Sequence, residues 1–309
     1  MNTTYRDIKT ELTSKGMDEG EAKAIALLLM EKVCGMNVTE VLTGCDDTTR
    51  TPQEQQALDM AAQVAQGTPV QYVLGEADFC GLTFHVAPGV LIPRPETEEL
   101  VAWVVKELGM REEESGIRIL DVGTGSGCIA VALAKRLEKA EVEAWDISEE
   151  ALRVAKENAA LNGVNVMVKQ VDVLRDNGQR TTDNRGRTTD NGQRTTDNGQ
   201  QRTDNGQFDV VVSNPPYICE EEQEEMERNV LEHEPGLALF VPNDDPLLFY
   251  RRIGGLGLQL LKDGGMLFFE INRRFGKETV ELLQGIGYQE VELRKDTFGN
   301  DRMVKAIKK

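Results

Sequence analysis

Four consecutive residues, Asn214-Pro215-Pro216-Tyr217, carry groups suited to holding a flat, nitrogen-bearing group. The Asn214 side-chain oxygen and the Pro215 carbonyl can each accept one hydrogen of an NH2 group, which orients the nitrogen and lowers the cost of making it pyramidal. An amide or aromatic amine nitrogen needs that help, because its lone pair is delocalised and a general base alone would not free it. Pro215 and Pro216 stiffen the loop, and Tyr217 offers a ring on which a flat group can stack. Upstream, Gly123-Thr124-Gly125-Ser126-Gly127 directly follows an apolar run that ends in Asp121-Val122. Glycines there permit a tight turn and let the backbone touch a ligand with no Cβ in the way. The third glycine comes one position earlier than in the dinucleotide fingerprint G-x-G-x-x-G. Asp146 ends the next apolar run, where its carboxylate can accept hydrogen bonds from both hydroxyls of a ribose. Asp172, at the end of a third, is expected beside the base of the same ligand.

The elements that must position these residues alternate. Apolar runs at 117–122, 142–146, 166–171 and 208–213 read as strands, with helices over 128–137 and 149–161. The order implies a mostly parallel sheet with helices on both faces, an α/β, Rossmann-like architecture. The tail adds a helix over 247–261, a strand over 265–270, a helix over 278–285 and two closing strands, 290–294 and 302–307, that suggest an antiparallel edge. Ahead of the sheet, Pro95 and its acidic neighbours fit the first turn of a helix running through Leu100, Val101, Val104 and Leu108. Residues 1–75 read as a separate, all-helical domain. Asp18 can cap a segment with Ala22, Ile25, Ala26, Leu29 and Val33 at helical spacing, ending near Gly35. Thr51-Pro52-Gln53-Glu54 is an N-cap, a first-position proline and a capping-box glutamate, with Gly67 closing that helix. Strand formers around Gly81 make 76–92 a hairpin linker, leaving 93–309 as the α/β domain. Within it, residues 176–207 repeat a seven-residue unit of the type Asp-Asn-Gly-Gln-Arg-Thr-Thr without one apolar residue, so a disordered surface insertion is expected there.

Composition narrows the classes. The chain of 309 residues has 35 basic and 53 acidic side chains, a formal charge of −18, which disfavours broad contact with a phosphate backbone. Five cysteines, Cys34, Cys45, Cys80, Cys128 and Cys219, include no C-x-x-C pair, and the two histidines, His85 and His233, lie far apart, so no metal site is expected. The start lacks a basic leader and an apolar core, and no run is long enough to span a bilayer; a cytoplasmic protein without membrane contact is expected. The run Glu220-Glu221-Glu222-Gln223-Glu224-Glu225 reads as a solvated helix face, with steering of a basic partner as its functional alternative.

Asp121 followed by the Gly123–Gly127 loop is similar to motif I of S-adenosylmethionine methyltransferases, and Asn214 to Tyr217 resembles the signature of those acting on adenine N6, cytosine N4 or glutamine N5. The segments at 75–81, 92–98, 121–127, 214–218, 233–235 and 296–303 together resemble the peptide chain release factor glutamine N5-methyltransferase family, across nearly the whole chain except the repeats. That resemblance implies a Rossmann-like methyltransferase domain behind a helical substrate-docking domain. It implies S-adenosylmethionine as cofactor and, as substrate and partner, the glutamine of the Gly-Gly-Gln loop of class I release factors. Carried over, Gly123, Thr124, Gly125, Ser126, Gly127, Asp146 and Asn214 would hold the cofactor, and Asn214, Pro215, Pro216 and Tyr217 would act on the substrate. Two residues depart from the family's pattern: Asn272 stands where glycine is usual and Phe275 where glutamine is usual. The competing readings are a DNA adenine N6-methyltransferase, disfavoured by the charge and the want of a basic recognition domain, and a non-catalytic cofactor-binding adaptor.

Overall fold

The computed structural model describes residues 2–44, 50–109, 116–175, 208–226 and 228–309. Cys45 and the repeats at 176–207 lie outside the described residues. Four α-helices form the N-terminal cluster: α1 (Thr3–Ser14), α2 (Glu19–Cys34), α3 (Val38–Thr43) and α4 (Pro52–Ala65). Asp18 caps α2 through the Gly20 and Glu21 amides, and Gly35 ends it in the left-handed region at φ 66°. Thr51 and Glu54 form the capping box of α4, and a second box, Asn37 with Glu40, starts α3. Ile8, Leu12, Leu29, Met30 and Ala61 are all fully buried in the core these helices share. A short α5 (Val70–Leu74) leads into the hairpin of β1 (Glu76–Phe79) and β2 (Leu82–His85).

The main sheet holds seven strands: β3 (Arg118–Val122), β4 (Glu141–Asp146), β5 (Val166–Gln170), β6 (Phe208–Ser213), β9 (Leu261–Glu270), β10 (Gln289–Lys295) and β11 (Asp301–Ile307). Their order is β10-β11-β9-β6-β3-β4-β5. Two further two-residue strands, β7 (Ile218–Cys219) and β8 (Phe240–Val241), pair separately. β11 runs antiparallel to both β9 and β10, so the reversed strand sits one place in from the edge rather than at it. Burial follows the period of two expected of a sheet covered on both faces. Ile119, Val210, Val212 and Phe268 enter one core with α6 (Pro95–Gly109) and α7 (Cys128–Arg136), while Leu120, Val211, Leu267 and Phe269 enter the other. That second core holds Tyr250 and Ile253 of the helix Leu248–Leu260 and Leu283 of the helix Gly276–Ile286.

The hairpin belongs physically to the first of these cores, since Phe79 and Phe84 stack edge-on within it, 5.9 Å between centroids. It is also latched by Asn158, fully buried on α8 (Glu149–Leu161), which accepts from the His85 amide and donates to the carbonyls of His85 and Ser126. One side chain thereby ties the hairpin to the glycine loop.

Candidate active site

Three strands deliver the site from their carboxyl ends, the side of a parallel sheet where loops are free to meet a ligand. After β3, Gly123, Gly125 and Gly127 take φ of +73°, +56° and +80°. A Cβ at Gly123 or Gly125 would meet no protein atom within 4 Å, and both residues line a cavity of about 280 Å³ together with Thr124 and Ser126. Gly127 has a different task. A Cβ there would come within 3.0 Å of the Ala155 Cβ, so the missing side chain lets α7 start against α8, and Gly127 is not part of the cavity wall. The loop is folded by its own backbone: the Gly123 and Thr124 amides donate to the Trp145 carbonyl at 2.8 and 2.9 Å, and the Gly125 amide donates to Asp146 Oδ2 at 2.8 Å. The Ser148 amide donates to Asp146 Oδ1 at 2.9 Å. With one backbone donor on each oxygen, the Asp146 carboxylate keeps lone pairs for two hydroxyls. Burial raises its pKa, and the backbone hydrogen bonds from Ser148 and Gly125 oppose that rise. Asp172 lines the same cavity. Beneath the loop, Asp121 is fully buried; its Oδ2 accepts from the Thr124 hydroxyl at 2.6 Å, and its Oδ1 has no hydrogen-bond partner among the described residues. Burial pushes this carboxyl up to about 7.

Asn214 and Pro215 stand where this cavity meets a second, of about 150 Å³. Pro216 lines the larger and Tyr217 the smaller, so the tetrapeptide spans the junction. Its support is a chain of side chains from distant segments. The Asn214 Nδ2 donates to Thr97 Oγ1 at 3.3 Å, and the Thr97 hydroxyl donates to Glu270 Oε2 at 2.7 Å. The Tyr217 hydroxyl donates to Glu270 Oε1 at 3.1 Å. Burial raises the Glu270 carboxyl above its usual range, opposed by the hydrogen bonds from Thr97 and Tyr217 and by the charge of Arg302. Burial also raises the Tyr217 phenol, which stays protonated and so remains a donor. On the other side of the loop, Asn272 Nδ2 donates to the Tyr217 carbonyl at 3.0 Å and to Glu222 Oε2 at 2.8 Å. The wall shared by the two cavities includes Arg94, whose guanidinium donates to the buried Glu234 at 2.6 Å.

Comparison with known proteins fits this geometry. Residues 4–75 match the family model described as PrmC N-terminal domain, and residues 102–184 the one described as Methyltransferase small domain. The release factor glutamine methyltransferase of Bacteroides thetaiotaomicron is 41% identical over 93% of this chain and 92% of its own length. That of Flavobacterium psychrophilum is 40% identical over 97% of each. The chain belongs to the release factor glutamine methyltransferase family. Among solved structures, the hMettl16 catalytic domain, determined in complex with the MAT2A 3′UTR hairpin 6, shares the fold at 20% identity with a TM-score of 0.51, covering 81% of this chain and 82% of that one. As a member of the glutamine methyltransferase family, the chain is an S-adenosylmethionine-dependent methyltransferase.

For this methyltransferase the sequence marked the loop, Asp146 and the tetrapeptide, and the structure brings all of them except Gly127 to the walls of two adjoining cavities. The supports Thr97, Glu270, Asn272 and Glu234 are not among the site residues read from the sequence, although Thr97 and Glu234 lie in segments that carry the family resemblance and Asn272 stands out as a departure from it. Glu270 carried a usable signal, an acid at the carboxyl end of an apolar strand, as Asp146 is. Asn272, the departure from the family's usual glycine, is buried and ties the Tyr217 carbonyl to Glu222. Glu222 also accepts from the Cys219 amide at 2.9 Å and lies near Arg274, so the acidic run, a 3-10 helix over Glu220–Glu225, is at this residue a structural clamp rather than a solvated face. Among the described residues no helix is long and apolar enough to cross a membrane.

Proposed function

We propose that this enzyme transfers a methyl group from S-adenosylmethionine to the side-chain amide N5 of the glutamine in the Gly-Gly-Gln loop of class I peptide chain release factors. The observation that carries the reading is the position of Asn214 and Pro215 at the junction of the two cavities. The larger cavity suits the cofactor: its glycines offer open space at Gly123 and Gly125, and Asp146 keeps acceptor capacity for ribose hydroxyls. When bound, S-adenosylmethionine supplies an electrophilic methyl group. The smaller cavity is walled by Tyr217, Ile218, Met226 and Val230, which suits a short side chain ending in a flat amide.

In this reading Asn214 and Pro215 do the catalytic work by accepting the two amide hydrogens. Those hydrogen bonds strengthen as the nitrogen loses conjugation and its hydrogens become more positive, so the stabilisation is greatest in the transition state. Tyr217 stays neutral and holds its place in the wall through Glu270. The net charge of −18 disfavours broad contact with a phosphate backbone, which favours a protein substrate.

The test is labelled methyl transfer to an unmodified release factor and, in parallel, to unmethylated duplex DNA, with the modified residue located by mass spectrometry. Label on the loop glutamine, lost when that glutamine is replaced, is expected. Label on adenine, or none on either with cofactor bound, would overturn the proposal.

A further inference from the structure

We propose that Thr97 and Glu270 are positioning residues that fix which end of the Asn214 side-chain amide faces the acceptor. The proposal rests on the reading of Asn214 as the group that receives the acceptor's N–H. An asparagine amide is nearly symmetric in shape, so packing alone does not choose between its oxygen and its nitrogen. Hydrogen counting does. The two oxygens of Glu270 take the hydroxyls of Thr97 at 2.7 Å and Tyr217 at 3.1 Å, and these donors together with the charge of Arg302 favour the carboxylate against the cost of burial, the form that can only accept. The Thr97 hydroxyl has a single hydrogen, which that bond consumes. Its oxygen can then only accept from Asn214, so the NH2 end of the amide must turn toward Thr97, 3.3 Å away. The carbonyl end is left for the cavity junction that Asn214 lines, where the acceptor's NH2 needs an oxygen.

The chain of polarity is enforced by burial. Thr97 is 2% and Glu270 1% exposed, so neither can trade its partner for bulk water without leaving a buried group unpaired. Each link comes from a different part of the fold: Thr97 from the first turn of α6, Glu270 from the end of β9, Asn214 from the loop after β6. A reversed amide would present Nδ2 to an NH2 group, donor against donor, and lose the interaction on which the chemistry depends.

The test compares Thr97→Val, Thr97→Ser and Glu270→Gln with the wild-type enzyme. Thr97→Val keeps the shape and removes the hydroxyl, so kcat is expected to fall about tenfold or more with the cofactor Kd and the KM for release factor little changed. Thr97→Ser restores the hydroxyl and is expected to recover most of that loss. Glu270→Gln keeps the size but supplies an NH2 that can donate to Thr97, which then donates to Asn214 and reverses the amide. The readout besides turnover is binding of a release factor whose loop glutamine is replaced by glutamate: its carboxylate has no hydrogens to give. The wild type is expected to bind the glutamine form better, and Glu270→Gln to narrow that ratio by about tenfold. Wild-type methylation of release factor, with turnover and glutamine-to-glutamate preference unmoved in Thr97→Val and Glu270→Gln, overturns the inference and leaves the proposed function standing. A wild type that does not methylate release factor overturns both.

Discussion

The two halves of this active site are held by different kinds of bond. The cofactor loop is folded mainly by main-chain donors from residues 123–148, with the side chains of Thr124 and Asn158 adding one bond each: Gly123 and Thr124 bond to the Trp145 carbonyl, and Gly125 and Ser148 bond to Asp146. The acceptor loop depends on side chains that reach across the fold, from Asn214 to Thr97 over 117 residues, from Thr97 to Glu270 over 173, and from Asn272 to Tyr217 over 55. The difference teaches where each half is vulnerable. A loop folded by main-chain bonds tolerates many side chains and fails where the backbone must take positive φ. One propped by a chain of single side chains is sensitive at every link, because each buried partner left unpaired costs about 1–3 kcal/mol.

The sharpest way to break the comparison is Asn214→Ala. If the acceptor half carries the chemistry, kcat is expected to drop by about two to three orders of magnitude, the scale seen when one preorganised transition-state contact is removed. Cofactor affinity, measured by calorimetry, is expected to change by less than about fivefold, even though Asn214 also touches the larger cavity. An equal fall in cofactor affinity would show that the two halves are one unit. Asp146→Ala asks the converse question. Loss of its anchored carboxylate removes hydrogen bonding to a charged group, of which a single bond contributes about 1.5–3 kcal/mol, so the cofactor Kd is expected to rise by at least roughly 10- to 100-fold. Turnover at saturating cofactor is expected to stay within about threefold, and a collapse of kcat would contradict that division.

The same contrast explains how much could be read from the sequence. The glycine loop and Asp146 are local: a strand, a turn and the next strand's end lie within one stretch, and their chemistry follows from residue type and spacing. Asn214 to Tyr217 were legible as a motif because the tetrapeptide is contiguous. Thr97 was not, since a threonine in the first turn of a helix has the bland reading of a helix start, and its role exists only when β9 and the loop after β6 arrive beside it. Gly127 is read with the ligand loop because its spacing fits one, and the close approach of Ala155 of a neighbouring helix, which independently requires a glycine there, is something spacing cannot reveal. The strand order was partly legible for a similar reason. Alternating helices and strands require a parallel sheet, but the insertion of β11 between β9 and β10 is a choice among edge arrangements that hydrophobic pattern leaves open.

A smaller effect tests the propped half away from the reacting group. Asn272→Gly removes both donors to the Tyr217 carbonyl and Glu222, with an expected stability loss of about 1–3 kcal/mol and a kcat lowered about three- to tenfold. Thermal melts beside steady-state rates would check both. A variant with unchanged melting and turnover would mean that the Asn272 bonds are dispensable and that the acceptor loop is held by Glu270 and Thr97 alone.

The last expected effect is on the pH dependence of stability rather than on turnover, and concerns a side chain of the cofactor half that is expensive to keep. Asp121 is fully buried with Oδ1 unpartnered among the described residues, and burial, together with the charge of Asp146, holds its carboxyl up at about 7. The unfolded chain releases that proton near 4. Between those values the folded protein binds more protons than the unfolded one, so this group's contribution to stability falls as pH rises through the window and is flat above it. The slope is at most about 1.4 kcal/mol per pH unit. Asp121→Asn removes the titration, keeps the oxygen that accepts from Thr124, and is expected to gain stability relative to the wild type steadily from pH 4 to pH 7 in melts without cofactor. A stability difference that stays constant across that range would mean that Asp121 is ionised throughout, and that the loop above it supplies more compensation than its hydrogen bond from Thr124 accounts for.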